Sequence, residues 1–155
     1  TLVKSSAASD VYKRQPYEGQ TVYFGDESAV DTFKAIDAAW ALRDYDKMKD
    51  MIKDGGMFVF EDGFTASNGQ EFVDKIEVEY KESLEKGDDW GWKTVYAFAV
   101  HPKGSEDPKA TNQEGQWVNA QFTSADGGTY IEWYQIVDGK LKMWYQTKGD
   151  SVIPE

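Results

Sequence analysis

The sequence predicts one α+β domain, a curved, mainly antiparallel sheet packed against about three helices. Three observations carry this. Apolar residues recur at helical spacing in three segments before Gly87. From Trp92 onward the period falls to two. Asp126-Gly127-Gly128 and Asp138-Gly139 then separate the last strands as turn signals. Helices followed by a run of strands give α+β. Helices over one face of a curved sheet enclose a cavity.

Taken in order, Pro16 to Asp26 reads as a polar lead-in. "DESAVDTFKAIDAAW" predicts the first helix, with Ser28 and Asp31 as a capping box. Val30, Phe33, Ile36 and Trp40 fall on one face of it, and Asp37 and Arg43 elsewhere. "RDYDKMKDMI" is a short second helix with Asp44 as N-cap, broken at Gly55-Gly56. "MFVFEDG" is a short strand ending at Asp62-Gly63. "SNGQEFVDKIEVEYKESLEK" is the third helix, capped by Ser67 with Gln70, and Glu71/Lys75, Glu77/Lys81 and Glu82/Lys86 pair along its solvated side. "WGWKTVYAFAVH" alternates, with Trp92, Thr94, Tyr96, Phe98 and Val100 on one side. Pro102 to Glu114 is a loop, and "GQWVNAQFTS", "TYIEWYQIV" and "KLKMWYQTK" are the remaining strands.

Composition narrows the function. The chain has 155 residues, enough for one core and too few for two. It has no Cys, hence no disulfide or thiolate chemistry, and one His, His101, which reads as an exposed loop residue at a strand end. No transition-metal site and no cofactor are expected. A formal charge of −11 argues against nucleic-acid and anionic-membrane partners, and no apolar run is long enough to span a bilayer.

"SSAASDVYKRQ", Ser5 to Gln15, has no apolar stretch for a signal peptide and too few charges for a basic arm. All of it matches the in-frame translation of a transposase-type sequencing-library adapter. Residues 1–15 are therefore expected to be a non-native tail on a shotgun or environmental fragment, with 16–26 the lead-in, 27–148 the domain and 149–155 a polar tail. Setting residues 1–15 aside removes Lys4, Lys13, Arg14 and Asp10 and takes the charge from −11 to −13.

"RDYDKMKDMI", "FVFEDGFTASNGQEFVDKI" and "YIEWYQIVDGKLKMWYQ", in this order and spacing, resemble the nuclear-transport-factor-2-like superfamily, with its SnoaL-like cyclases and ketosteroid isomerases. The resemblance spans nearly all of residues 27–148. It implies a cone-shaped barrel with a pocket between helices and concave sheet, dimerisation through the sheet, and a small apolar ligand. The superfamily hosts many activities, so the chemistry must come from pocket residues.

Asp62 is the candidate catalytic residue. It closes "FEDG", where the resemblance implies the proton-shuttling Asp of the isomerases, and a carboxylate at a pocket mouth can act as general base. Turn chemistry at Asp-Gly is the competing explanation. The oxyanion donors of the isomerases would fall near Ile36 and Trp133, which cannot supply both, so a steroid isomerase is rejected. Glu132 is a second acid/base candidate if it points inward. Alternation places Ile131, Trp133 and Gln135 on one face and Tyr130, Glu132 and Tyr134 on the other. The resemblance puts Trp133 inward, leaving Glu132 to solvent or a partner. Trp40, Tyr96 and Trp133 are the expected pocket walls, with Trp117 and Trp144 further candidates and plain core packing the alternative. Function is thus expected to be small-molecule binding, with acid/base catalysis on an apolar or cyclic substrate as one form and a non-catalytic ligand-binding or dimerisation module as the other.

Overall fold

The computed structural model describes residues 21–103, 114–125 and 127–149. The expected adapter-derived tail, the start of the lead-in, most of the Pro102–Glu114 loop, Asp126 and residues 150–155 lie outside them.

The elements are β1 (Thr21–Phe24), α1 (Glu27–Leu42), α2 (Tyr45–Asp50), β2 (Ile52–Val59), β3 (Thr65–Ala66), α3 (Gly69–Lys86), β4 (Trp92–Lys103), β5 (Gln116–Ser124), β6 (Thr129–Val137) and β7 (Lys140–Gly149). The strands form one open sheet in the order β1-β4-β5-β6-β7-β2-β3. Every neighbouring pair is antiparallel except β2 with β7. The predicted α+β class is the one that forms. Asp138-Gly139 makes the expected tight turn, with φ of 52° and 71° and Val137 opposite Lys140.

Besides the short β3 and the last two residues of β4, which form where loop was expected, local choices differ from the sequence pattern in four places. β1 lies inside the expected lead-in, because four β-prone residues are too few to show a period. β2 begins at Ile52 instead of Met57, and Gly55-Gly56 sits in its register irregularity rather than ending α2. A Cβ on Gly56 would come within 2.4 Å of the Phe58 ring and of the Lys142 carbonyl, so the bulge requires glycine there. α1 is capped at Asp26 rather than Ser28. α3 is capped at Asn68, whose Oδ1 accepts from the Glu71 N–H at 2.9 Å, while Glu71 Oε2 accepts from Ser67 N–H and Oγ, each at 2.8 Å. The box is present but displaced by one residue, since Ser and Asn cap comparably well. Asp44 caps α2 as expected, accepting from the Lys47 N–H at 3.3 Å.

The fifth difference reaches the site. In β4 the register slips between Thr94, opposite Phe122, and Tyr96, opposite Gln121. One extra residue in a strand moves everything beyond it to the other face. Trp92 therefore faces the helices, while Tyr96 and Phe98 face away and stack on each other at 5.8 Å.

The core lies between α1, α3 and the inner sheet face. Trp40 of α1 meets Phe72 of α3 at 5.3 Å and Trp144 of β7 at 5.6 Å, and Phe72 meets Trp144 at 5.2 Å, the Phe72 contacts being edge-on. Phe60, just after β2, closes on Trp144 at 4.8 Å. Offset and edge-on ring pairs add to the burial of large apolar surfaces. Phe72→Ala should cost about 3–5 kcal/mol in urea-induced unfolding, because the cavity left cannot collapse against the four rings of Trp40, Phe58, Phe60 and Trp144. Leu42→Ala, at a position 79% exposed, should change stability by less than about 0.5 kcal/mol in the same measurement.

Candidate functional site

A cavity of about 430 Å³ opens between α1, α3 and the inner face of β4 to β7. That volume is ordinary for a small-molecule site. Its position follows from the core. The aromatic cluster joins the helices to the sheet at one side, and Trp90, Trp92, Phe122 and Tyr130 carry the wall on past it.

Glu132 is its central polar residue. It lies on β6 opposite Ala120 and Gln146, on the face that buries Val118, Ala120, Phe122 and Trp144. Its Oε2 accepts from the Tyr134 hydroxyl and from the Trp144 indole N–H at 3.0 Å. Its Oε1 accepts from the Gln146 amide at 2.8 Å. Burial pushes the Glu132 carboxyl up to about 7, against the pull of these three donors, and the nearby Asp37 charge adds to the rise. Tyr134 is itself raised well above the usual phenol range, first by burial and then by the Glu132 charge.

Asp37 is the second carboxyl of the cavity. It accepts from the Trp92 indole N–H at 2.8 Å, and burial raises its pKa against that bond. Asp62 lies at the rim, where Lys75 donates to Oδ2 at 2.5 Å and the Phe64 N–H to Oδ1 at 2.9 Å. Those bonds hold its carboxyl below the usual range. Lys75 also meets Glu79 at 3.3 Å, in place of the expected pairing with Glu71.

The facing of β6 is a correction to the sequence reading. Glu132 is 5% exposed, and Trp133 is 39% exposed on the outer face, packed against Trp117 at 6.4 Å. Alternation had fixed which residues share a face but not which face meets the helices. The pairing of Tyr134 with Val118 and Trp144 decides it. Of the three expected walls, Trp40 lines the cavity; Tyr96, turned by the β4 bulge, and Trp133 stand on the other side of the sheet. Trp117 is also on that side, and Trp144 is wholly buried in the core. His101 is half-buried within β4, stacked on Tyr23 at 5.7 Å, rather than exposed in a loop.

Asp37 was missed as a site residue. The signal was its spacing, four after Phe33 and three before Trp40, which puts a carboxyl beside the apolar stripe of α1. For Glu132 it was the flanking pair Tyr130 and Tyr134, two residues away on either side and therefore on its own face.

No family model and no curated protein sequence matches the chain. Solved structures do. A SnoaL-like protein of unknown function from Burkholderia thailandensis superposes with a TM-score of 0.59 at 10% identity, over 81% of this chain and 98% of that one. The chain has the nuclear-transport-factor-2-like fold. An NTF2-like protein of unknown function from Burkholderia xenovorans gives 0.51 at 14% identity, over 83% and 88%. A LEH-like epoxide hydrolase from Mycobacterium tuberculosis gives 0.50 at 11% identity, over 79% and 84%. In the nuclear-transport-factor-2-like fold of this chain, no group of three or more metal-ligating side chains comes together among the described residues, and no described helix is long and apolar enough to cross a membrane.

A carboxyl raised on folding stabilises the protein below its unfolded pKa, and that contribution is lost as pH rises through its folded value. For Glu132 the window runs from the ordinary 4.5 to about 7. Asp37 acts in the same direction. Stability should therefore fall between about pH 4.5 and pH 7, by on the order of 3 kcal/mol from Glu132 alone. Melting curves of the protein and of Glu132→Gln across this range provide the check. The variant should show a flatter profile, and parallel profiles would count against the assignment.

Proposed function

We propose that this protein binds a small apolar or cyclic molecule in the cavity and moves a proton on it, with Glu132 as the acid/base group. One observation carries the reading: a carboxyl desolvated inside an unfilled cavity and held in place by three donors. A base that titrates near neutrality combines a useful ionised fraction with enough basicity. Glu132 Oε2 is already saturated by Tyr134 and Trp144, both wholly buried, so its proton leaves and arrives at Oε1. Gln146, the lone partner of Oε1 among the described residues and a cavity residue, gives way to or hydrogen-bonds the ligand there. Asp37 sets the field around it.

Asp62, the base expected from the sequence, is a weaker base in this setting, because Lys75 keeps it ionised at a low pKa. It anchors Lys75 at the mouth instead. The SnoaL-like and epoxide-hydrolase names of similarly folded proteins are compatible with acid/base work on cyclic molecules, but the residues here carry the proposal, not those names. A thermal-shift screen of apolar and cyclic compounds, followed by turnover assays on the hits, tests it. Glu132→Gln should lower kcat by about 10²-fold or more at saturating compound, while Asp62→Asn keeps most of the turnover. The reverse pattern would return the role of base to Asp62. A hit that binds but is never turned over would leave the non-catalytic alternative.

A second reading concerns the outer sheet face. Tyr96 and Phe98 of β4 and Ile131 and Trp133 of β6 are each 38–39% exposed there, on either side of Gln121 and Asn119 of β5, and exposed large apolar side chains grouped on one face mark an interface. We infer a homodimer formed through this face. Sedimentation should give twice the chain mass, and Trp133→Glu should give the monomer mass with the fold retained. A wild-type monomer at high micromolar concentration would rule it out.

A further inference from the structure

Asp37 from α1 and Glu132 from β6 line one cavity, and among the described residues neither takes part in an ion pair. A buried carboxylate without a counter-charge is strongly disfavoured. Three lysines line the cavity. Lys75 of α3 is held by Asp62 and Glu79, Lys148 of β7 lies 5.1 Å from the Tyr130 ring, and Lys86 at the end of α3 is exposed to solvent. The walls beside the two carboxyls are indoles, Trp40 with Trp92 at 5.9 Å and Trp92 with Trp90 at 6.0 Å. Indole faces attract cations. A second, independent feature concerns hydrogen bonding. Trp40 is only 6% exposed, and neither its indole N–H nor that of Trp90 has an acceptor among the described residues. Buried donors are rarely left unpaired.

We propose that the ligand of this cavity is an organic ammonium ion, a protonated amine on an apolar or cyclic frame that also carries an acceptor oxygen. This rests on the pocket reading above and names its ligand class. The ammonium supplies the charge that Asp37 and Glu132 lack, the frame packs on the indoles, and the oxygen accepts from the Trp40 side of the wall. Anionic ligands are repelled by the same carboxyls and by Asp88 and Asp89 at the mouth. An inorganic cation would meet the charge but not the aromatic walls.

The test uses one frame with four polar groups: 1-aminoindan-2-ol, 2-aminoindan, indan-2-ol and indan-2-carboxylate, with calcium chloride as the inorganic arm. Binding to the full chain is read by calorimetry and tryptophan fluorescence. The amino alcohol should bind best, the amine roughly tenfold more tightly than indan-2-ol, and the carboxylate not measurably. Alkylamines stay protonated over the neutral range. Amine affinity should therefore rise roughly tenfold from about pH 6 to pH 8 as Glu132 ionises, with indan-2-ol unaffected. The other titratable groups facing Glu132 are Asp37, which reinforces this trend, and Tyr134, which keeps its proton throughout. Glu132→Gln and Asp37→Asn should each weaken the amine and spare indan-2-ol, whose binding also reports that the variant is folded. Equal binding of amine and alcohol overturns the ammonium assignment and leaves the pocket reading standing. Displacement of the amine by calcium overturns it in favour of a metal ion. If no indane binds, the ammonium assignment falls, and the wider screen above decides the pocket reading separately.

Discussion

Trp40, Phe72 and Trp144 meet where α1, α3 and the inner sheet face converge. The other features of the domain depend on that three-way contact. It fixes the distance between helices and sheet, because three large rings cannot be compressed and leave a void if pulled apart. Beyond it the layers are filled only in part, and the space that remains is the cavity. Phe60 and Phe122 extend the apolar surface on either side, and Phe33 locks α1 onto Tyr134 at 4.9 Å. Tyr134 in turn holds the carboxyl of Glu132. A packing contact thus orients the one buried acid of β6.

The electrostatics follow from the same geometry. Most carboxylates of this acidic chain sit in water, where nearby lysines or amides hold several below their ordinary range, as at Asp62 and Glu71. Asp37 and Glu132 have been taken out of water, and both shift upward. The contrast between Asp62 and Glu132 is one of environment and not of residue type. Two carboxyls of nearly equal intrinsic acidity are shifted in opposite directions, one downward at the rim by Lys75 and one upward to about 7 by burial inside.

Much of the fold was legible from the chain. Asp44 and the Asp138-Gly139 turn act through local backbone chemistry, and each does what its sequence context implied. The helical stripe of Phe33, Ile36 and Trp40 is likewise buried as a unit. Errors arose where a local rule has two equivalent solutions. Ser67 and Asn68 are both cap formers, and contacts with Glu71 choose between them. The β4 alternation holds on each side of its bulge but not across it.

The sequence by itself determined the α+β class, the order of the three helices and of the four long strands that follow them, the Asp138-Gly139 turn and the membership of each face of β6. Those are set by propensity and period, which act over a few residues. Tertiary structure alone decided which face of β6 meets the helices, where β4 slips, and that Asp37 and Glu132 share one cavity. The physical reason is that a strand's alternation is symmetric until a partner buries one side. Here the partners are Val118, Ala120 and Trp144 on the neighbouring strands and Phe33 on α1, all brought there by the fold.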